Sequence, residues 1–263
     1  MNEEANRQRE LALQKAINPK NLPVYSGPIG AVQGVVHVTG DPSPIAADRL
    51  AKLPAAGCAG AQEMLRHVFR EGPGRTLGDV LVTVTEYPGF VPPREEGVRV
   101  EIKGCAFDSN VVAMAFGQHL EVFNLDAQGY VPRIVGPHSY ALRVALPGGS
   151  PVPLFVPQPG HYFLVDETHE YMRADLFVLS YPTFEVTRLD GRFEIKGIPT
   201  GDVKVTAFSP ALGKVSEQRV KIQAGVTAQL SFDLAFSRDQ YDAALRSKAS
   251  QDTLHARDAG AAH

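Results

Sequence analysis

Between Thr183 and Leu234 the chain alternates apolar and polar residues almost without interruption, the two-residue period of half-buried β-strands. Phe193 and Ile195 share one face, followed by Val203, Val205 and Ala207, then by Val220 and Ile222. The turns LDGR, PTG and QAG punctuate the run. About fifty residues make only a thin sandwich, because so small a unit buries too little of its apolar surface. The shortage needs an explanation elsewhere in the chain.

Upstream, the pattern is again that of short strands. Gly30–Val38 alternates, and Val80–Thr85 is β-branched and ends in the turn YPGFVPPREEG. Val98–Ile102, Val111–Phe116, Leu120–Phe123, Tyr140–Leu146, Leu154–Val156, Tyr162–Val165 and Asp175–Leu179 follow, separated by GPHS, LPGGSP and QPGH. Strands this short and closely spaced predict a sandwich or Greek-key barrel. Ala59–Arg70 has Met64, Leu65 and Val68 at helical spacing, and Ser237 caps a second predicted helix. The tail HARDAGAAH reads as disordered. The 24 glycines and 20 prolines suit strands and turns, so the expected class is all-β with short peripheral helices at both termini.

A formal charge of -3 gives no drive toward nucleic acid, and Arg133, Arg143 and Arg173 are scattered rather than striped. No stretch approaches the roughly 18 apolar residues of a membrane span. Met1 to Gln14 is polar and reads as an exposed helix, not a signal peptide. Either the chain is cytosolic or its export signal is not part of this sequence. Cys58 and Cys105 read equally as two buried thiols or as one disulfide.

The segment Thr187–Gly201, TRLDGRFEIKGIPTG, resembles the central signature of carboxypeptidase-regulatory-like (prealbumin-like) sandwiches, matching it at Asp190, Gly191, Phe193, Ile198, Pro199 and Gly201. Such domains begin with a Gly-x-Val-x-Gly-x-Val strand, and here that strand stands at Gly30–Val36. The resemblance therefore implies a split sandwich of residues 29–96 plus 182–234, with 97–181 inserted between them. Residues 1–28 and 235–263 are the terminal extensions. The middle resembles a cupredoxin domain of the methylamine-utilization or blue-copper kind, carried by residues 104–130 and 159–187. In such relatives a Gly-Cys before the first cupredoxin strand and an early Cys recur, which implies a Cys58–Cys105 bridge and an oxidising compartment.

A blue-copper site needs two imidazoles, a thiolate and a weak axial Met. In the resembling family one His follows an Asn-x-Asp strand end, and a closing loop supplies Cys-x-x-His-x-x-Met. Aligned on Asn124 and Asp126, the His position falls at Tyr130. Anchored on Pro159-Gly160 and Met172-Arg173-Ala174, the Cys position falls at Asp166, while His169 and Met172 remain. Without the thiolate the short Cu–S bond cannot form, and a phenol with pKa near 10 replaces imidazole poorly. Asp166, His169 and Met172 are the remnant metal candidates, with Glu167, His161 and His138 close by; the bland reading is a solvated acidic loop.

Chemistry of other kinds finds no motif. No Gly-x-Ser-x-Gly elbow, phosphate-binding glycine loop or His-Glu-x-x-His pair occurs, and Glu95-Glu96 sits in a Pro-rich turn. His37, His67 and His119 fit ordinary structural roles. Tyr130 and Tyr171 divide evenly between packing and an aromatic partner contact, the other turn tyrosines favouring packing. The expectation is a non-enzymatic, periplasmic or extracellular binding or assembly protein without a cofactor. Its expected partner is a protein, with a membrane electron-transport or cytochrome complex named from the company of cupredoxin relatives. The alternatives are a protein holding a single copper or zinc ion at Asp166 and His169, and a carbohydrate-binding module.

Overall fold

The computed structural model describes residues 4, 7, 14–54, 57–93, 97–136 and 143–247. His138, Glu95, Glu96, most of the first fourteen residues and the HARDAGAAH tail lie outside the described residues. The strands are β1 (Ile29–Gly40), β2 (Leu81–Thr85), β3 (Gly97–Ile102), β4 (Val111–Ala115), β5 (His119–Asn124), β6 (Pro132–Val135) and β7 (Val152–Leu154). They continue as β8 (Gly160–Asp166), β9 (Arg173–Leu179), β10 (Phe184–Val186), β11 (Arg192–Pro199), β12 (Gly201–Ser209), β13 (Lys214–Ile222) and β14 (Thr227–Phe236). Helices are short: α1 at 14–17, α2 (Ala47–Leu50), α3 (Ala59–Leu65) and α4 at 238–247.

The strands form four sheets, ordered β11-β1-β14, β10-β2-β12-β13, β3-β5-β7 and β4-β9-β8-β6. The first two enclose one core, in which Val32, Val36, Val203, Val205 and Phe232 are fully buried. The last two enclose another, around Ile102, Met114, Leu120, Leu164 and Leu176. Each large apolar side chain taken fully out of water contributes roughly 1.5–3 kcal/mol. Strands adjacent in one sheet thus come from both ends of the sequence: β1 runs antiparallel to β11 and parallel to β14. Ile17 of α1 reaches across to pack on the β3–β9 core.

Two glycines show why the local sequence is as it is. A Cβ on Gly34 would lie 2.1 Å from the Leu230 carbonyl oxygen and 2.8 Å from the Phe193 ring, so the absence of a side chain here lets β14 and Phe193 come close to β1. Gly191 has φ +65, and a Cβ there would meet the Val36 carbonyl at 2.5 Å. It closes the turn that delivers Phe193 into the core.

The β4 strand joins the two cores. All five of its residues are buried, because Val112 and Met114 enter the second core while Val111 and Ala113 pack on Leu81, Phe184 and Val186. A strand covered on both faces reads as a continuous apolar run rather than an alternating one, as VVAMA does. A polar clamp lies beside it. Buried Asp79, just before β2, receives both guanidinium N–H groups of Arg70 at 2.6 and 2.5 Å, the Ser109 hydroxyl at 3.0 Å and the Asn110 amide at 3.0 Å.

Several boundaries differ from the sequence reading. The predicted helix at 59–70 stops at Leu65, since the β-branched and aromatic stretch His67–Phe69 turns extended and bonds to Pro44 and Ser43. Of Tyr140–Leu146, residues 140–142 lie outside the described ones, and the rest contributes one bridge, Ala145 to Tyr130. Pro132–Val135 is a strand the alternation did not reveal. Its proline is tolerated because β6 is an edge and Pro132 opens it.

Candidate functional site

The end of the second sandwich holds the residues singled out above. Asn124 ends β5 and is buried; its side-chain amide donates to the Gln128 and Ala145 carbonyls at 2.7 and 2.8 Å. Its Oδ1 accepts the Asp126 N–H at 2.9 Å, fixing the turn that follows. Asp126 in turn accepts the N–H groups of Gly104 and Cys105 at 2.7 and 2.8 Å and the Tyr130 hydroxyl at 2.7 Å. The Gln128 amide donates to that same hydroxyl at 2.6 Å. Every polar atom of Tyr130 is spoken for.

Across from it, Asp166 ends β8 with its side chain wholly buried. It accepts the Val131 N–H at 2.5 Å, the Thr168 N–H and hydroxyl at 3.0 and 2.6 Å, and His169 Nδ1 at 2.8 Å. The His169 ring lies 5.1 Å from Tyr130 and 5.7 Å from Tyr171. Met172 is 2% exposed and belongs to the apolar core. The structure therefore brings Asp166 and His169 into contact. Glu167 is drawn away to Arg133, and His161 faces outward on β8, paired with Asp175 at 2.6 Å and stacked on Phe177. His37 sits in β1 against Thr76, His67 accompanies Ser43, and His119 stacks on Phe155.

The electrostatics follow from this wiring. Burial opposes ionisation of Asp126, but the Cys105 N–H, the Tyr130 hydroxyl and the Gly104 N–H outweigh it and hold the carboxyl below the usual range. Burial, and then the bond to Asp126, pushes the Tyr130 phenol upward. A carboxyl lowered on folding stabilises fully above its unfolded pKa of about 4 and loses that contribution as pH falls through the folded value. Chemical denaturation across the acid range should therefore show part of the loss of stability abolished in Asp126→Asn.

Cys58 and Cys105 form a disulfide, one of the two readings the cysteines allowed. It abuts this network: Gln128 Nε2 lies 3.4 Å from Cys105 Sγ and the Tyr171 hydroxyl 3.7 Å from Cys58 Sγ. A depression of about 710 Å³ opens here, with His169, Tyr171, Asp126 and Gln128 among its walls. Tyr130 has no exposed surface, so it cannot itself touch a partner; Tyr171 is partly exposed. The disulfide's position beside the loop, and the role of Asp126 as the hub, escaped the sequence reading; Asn-x-Asp was its only visible trace.

The donors present do not fit a type 1 copper ion. There is no thiolate at the Asp166 position, the carboxylate there already accepts four hydrogen bonds, and the Tyr130 oxygen is held between Asp126 and Gln128. Among the described residues no group of three His, Cys, Asp or Glu side chains could hold a metal ion.

No family model matches the chain, and no curated protein does. Among solved structures it is similar to amicyanin from Paracoccus versutus (Thiobacillus versutus), at 17% identity and TM-score 0.29, over 37% of this chain and 96% of that one. A reduced amicyanin mutant matches at 16% and 0.29, over 37% and 97%. A Cu-containing nitrite reductase from Thermus scotoductus SA-01 matches at 18% and 0.28, over 55% of this chain but 28% of that one. The likeness is distant and covers only part of a mostly β chain. No helix among the described residues is long and apolar enough to cross a membrane.

Proposed function

We propose that this chain is a non-enzymatic binding or assembly protein of an oxidising compartment outside the cytoplasm, in which a cupredoxin-like domain at 97–181 serves as a scaffold. That domain is read as inserted into a carboxypeptidase-regulatory-like sandwich of residues 29–96 and 182–234. Support for the insertion comes from β1 and β2 sharing sheets with β10–β14, while β3–β9 pair only among themselves. Support for the outer sandwich comes from Asp190-Gly191 turning tightly and Phe193 and Ile198 entering its core.

The observation that carries the reading is the closed hydrogen-bond network. Asp166 accepts four donors and Tyr130 two partners, so the positions of two copper ligands now hold the loop together internally. The protein partner would meet the end of the domain at Tyr171 rather than Tyr130. A carbohydrate platform gains no support from the outer face of β8 and β9, where Arg173 caps the Phe163 ring at 3.6 Å and His161 covers Phe177. Metal analysis of freshly purified protein tests the reading: far less than one equivalent of copper or zinc is expected, and stoichiometric metal would replace it with a metalloprotein.

A further inference from the structure

Among the described residues the four sheets end in β11 and β14, β10 and β13, β3 and β7, and β4 and β6. An open sheet edge is a template for another strand unless something blunts it. All but β14 are blunted. Proline opens β6 and sits inside β7, which like β10 is three residues long. On β4 the Ser109 hydroxyl holds both the N–H and the C=O of Val111, and Gln118 Oε1 accepts the Ala115 N–H. On β3 the Asp108 carboxylate and N–H hold Glu101. The β11 edge carries Glu194 and Lys196, a register shift at Gly197 and a closing Pro199. The β13 edge carries Lys214, Glu217, Arg219 and Lys221, all exposed.

The β14 edge has none of these devices. It runs 10 residues without proline, and its one charge is Asp233. The Ala31 N–H donates to the Val226 carbonyl and the Asp41 N–H to the Phe236 carbonyl, with an unbroken parallel register between them. Even-numbered residues therefore face β1, while Thr227, Gln229, Ser231, Asp233 and Ala235 turn their N–H and C=O groups away from it. All of these outward residues are exposed. Gln218 of β13 donates to the Ser231 carbonyl at 2.6 Å, which leaves that oxygen a second lone pair. The other outward groups have no hydrogen-bond partner among the described residues.

We infer that β14 is the pairing edge of a homodimer, running antiparallel to its counterpart in a second copy of this chain across a twofold axis at Ser231. The strand is complementary to itself in that register, as a twofold interface requires. Thr227 meets the partner's Ala235, Gln229 meets the partner's Asp233, and Ser231 meets its own counterpart. Every such pair joins outward-turned groups, and no like charges stand opposite each other. A register centred on Asp233 would instead oppose two carboxylates. Because Gln218 stands beside Ser231, the same axis turns Glu217 toward the partner's Arg219 and Arg219 toward the partner's Glu217. This interface uses none of the residues of the partner contact proposed above and stands without it.

Sedimentation of the full disulfide-bonded chain over a concentration series tests this, with amide exchange followed at low and high concentration. A reversible dimer should form, and the amides of Gln229, Ser231 and Asp233 should exchange at least tenfold more slowly in it. Ser231→Lys, which sets two ammonium groups together at the axis, should weaken the dimer tenfold or more at an unchanged denaturation midpoint. Gln229→Asp, facing the partner's Asp233, should also weaken it, whereas Gln229→Lys should not. A chain that stays monomeric, a dimer indifferent to Ser231→Lys and Gln229→Asp, or a dimer whose β14 amides exchange as fast as the monomer's would overturn the inference. So would dimerisation only after residues 248–263 are removed, which would make that segment the occupant of the edge.

Discussion

Asp79→Ala is expected to lower the unfolding free energy by about 3 kcal/mol, the cost of leaving a mostly buried guanidinium without its carboxylate. Asp79 is 5% exposed, and its oxygens take Arg70, Ser109 and Asn110. Removing it strands donors on both sandwiches at once, since Arg70 precedes β2 and Ser109–Asn110 precede β4. Asp79 also has φ +59, a left-handed conformation that Asp and Asn adopt more readily than Ala. Asp79→Asn keeps that tolerance and should cost less, though Arg70 still loses its counter-charge. Urea denaturation of the three proteins, with Arg70→Met added in a double-mutant cycle, separates the charge from the backbone. A cost below about 1 kcal/mol for the alanine variant would mean the clamp does not join the sandwiches.

Replacing both cysteines by serine should have an effect of similar size. A cross-link spanning 47 residues restricts the unfolded chain by about 4 kcal/mol in the loop-closure account. The native state loses little else directly, because the surrounding cluster is small: Ala61 and Ala106, with Leu53, Met64 and Tyr171 at its edge. Denaturation midpoints of the wild type with and without reductant, beside Cys58→Ser/Cys105→Ser, measure this. The reduced wild type and the double variant should agree. Amides of α3 and of Gly104–Ala106 should then exchange faster than those of β1 and β14, since the bridge and the Ala61 N–H bond to the Gly104 carbonyl together hold α3 to that turn.

Much of the sheet framework was legible because alternation survives wherever one face is wet, as in β11, β12 and β13. The VVAMA run was visible as a strand, but its burial on both faces was not, because nothing local says that a second sandwich covers it. β6 escaped through its opening proline and brevity, and α3 was over-read because Val68 continues the helical spacing while its backbone pairs with Pro44. Aligning Asn124, Asp126, His169 and Met172 picked out residues that lie at one end of the second sandwich, with Asp166 and His169 in contact. The loop chemistry was hidden. The four donors to Asp166 include a backbone N–H from β6's approach and a threonine two residues on, and the hub role of Asp126 depends on a hairpin twenty residues earlier. Long-range hydrogen bonds leave no period in a sequence.

Titrating Cu(II) into the metal-free, disulfide-bonded protein, with visible absorption and electron paramagnetic resonance as readouts, tests most directly whether Asp166 and Tyr130 leave the domain without a type 1 copper site. The wild type should show no intense thiolate-to-copper band and only weak, exchangeable copper, whereas Tyr130→His/Asp166→Cys, which supplies an imidazole and a thiolate at those positions, should acquire that band. A wild type that turned intensely coloured with one tightly held ion would contradict the account.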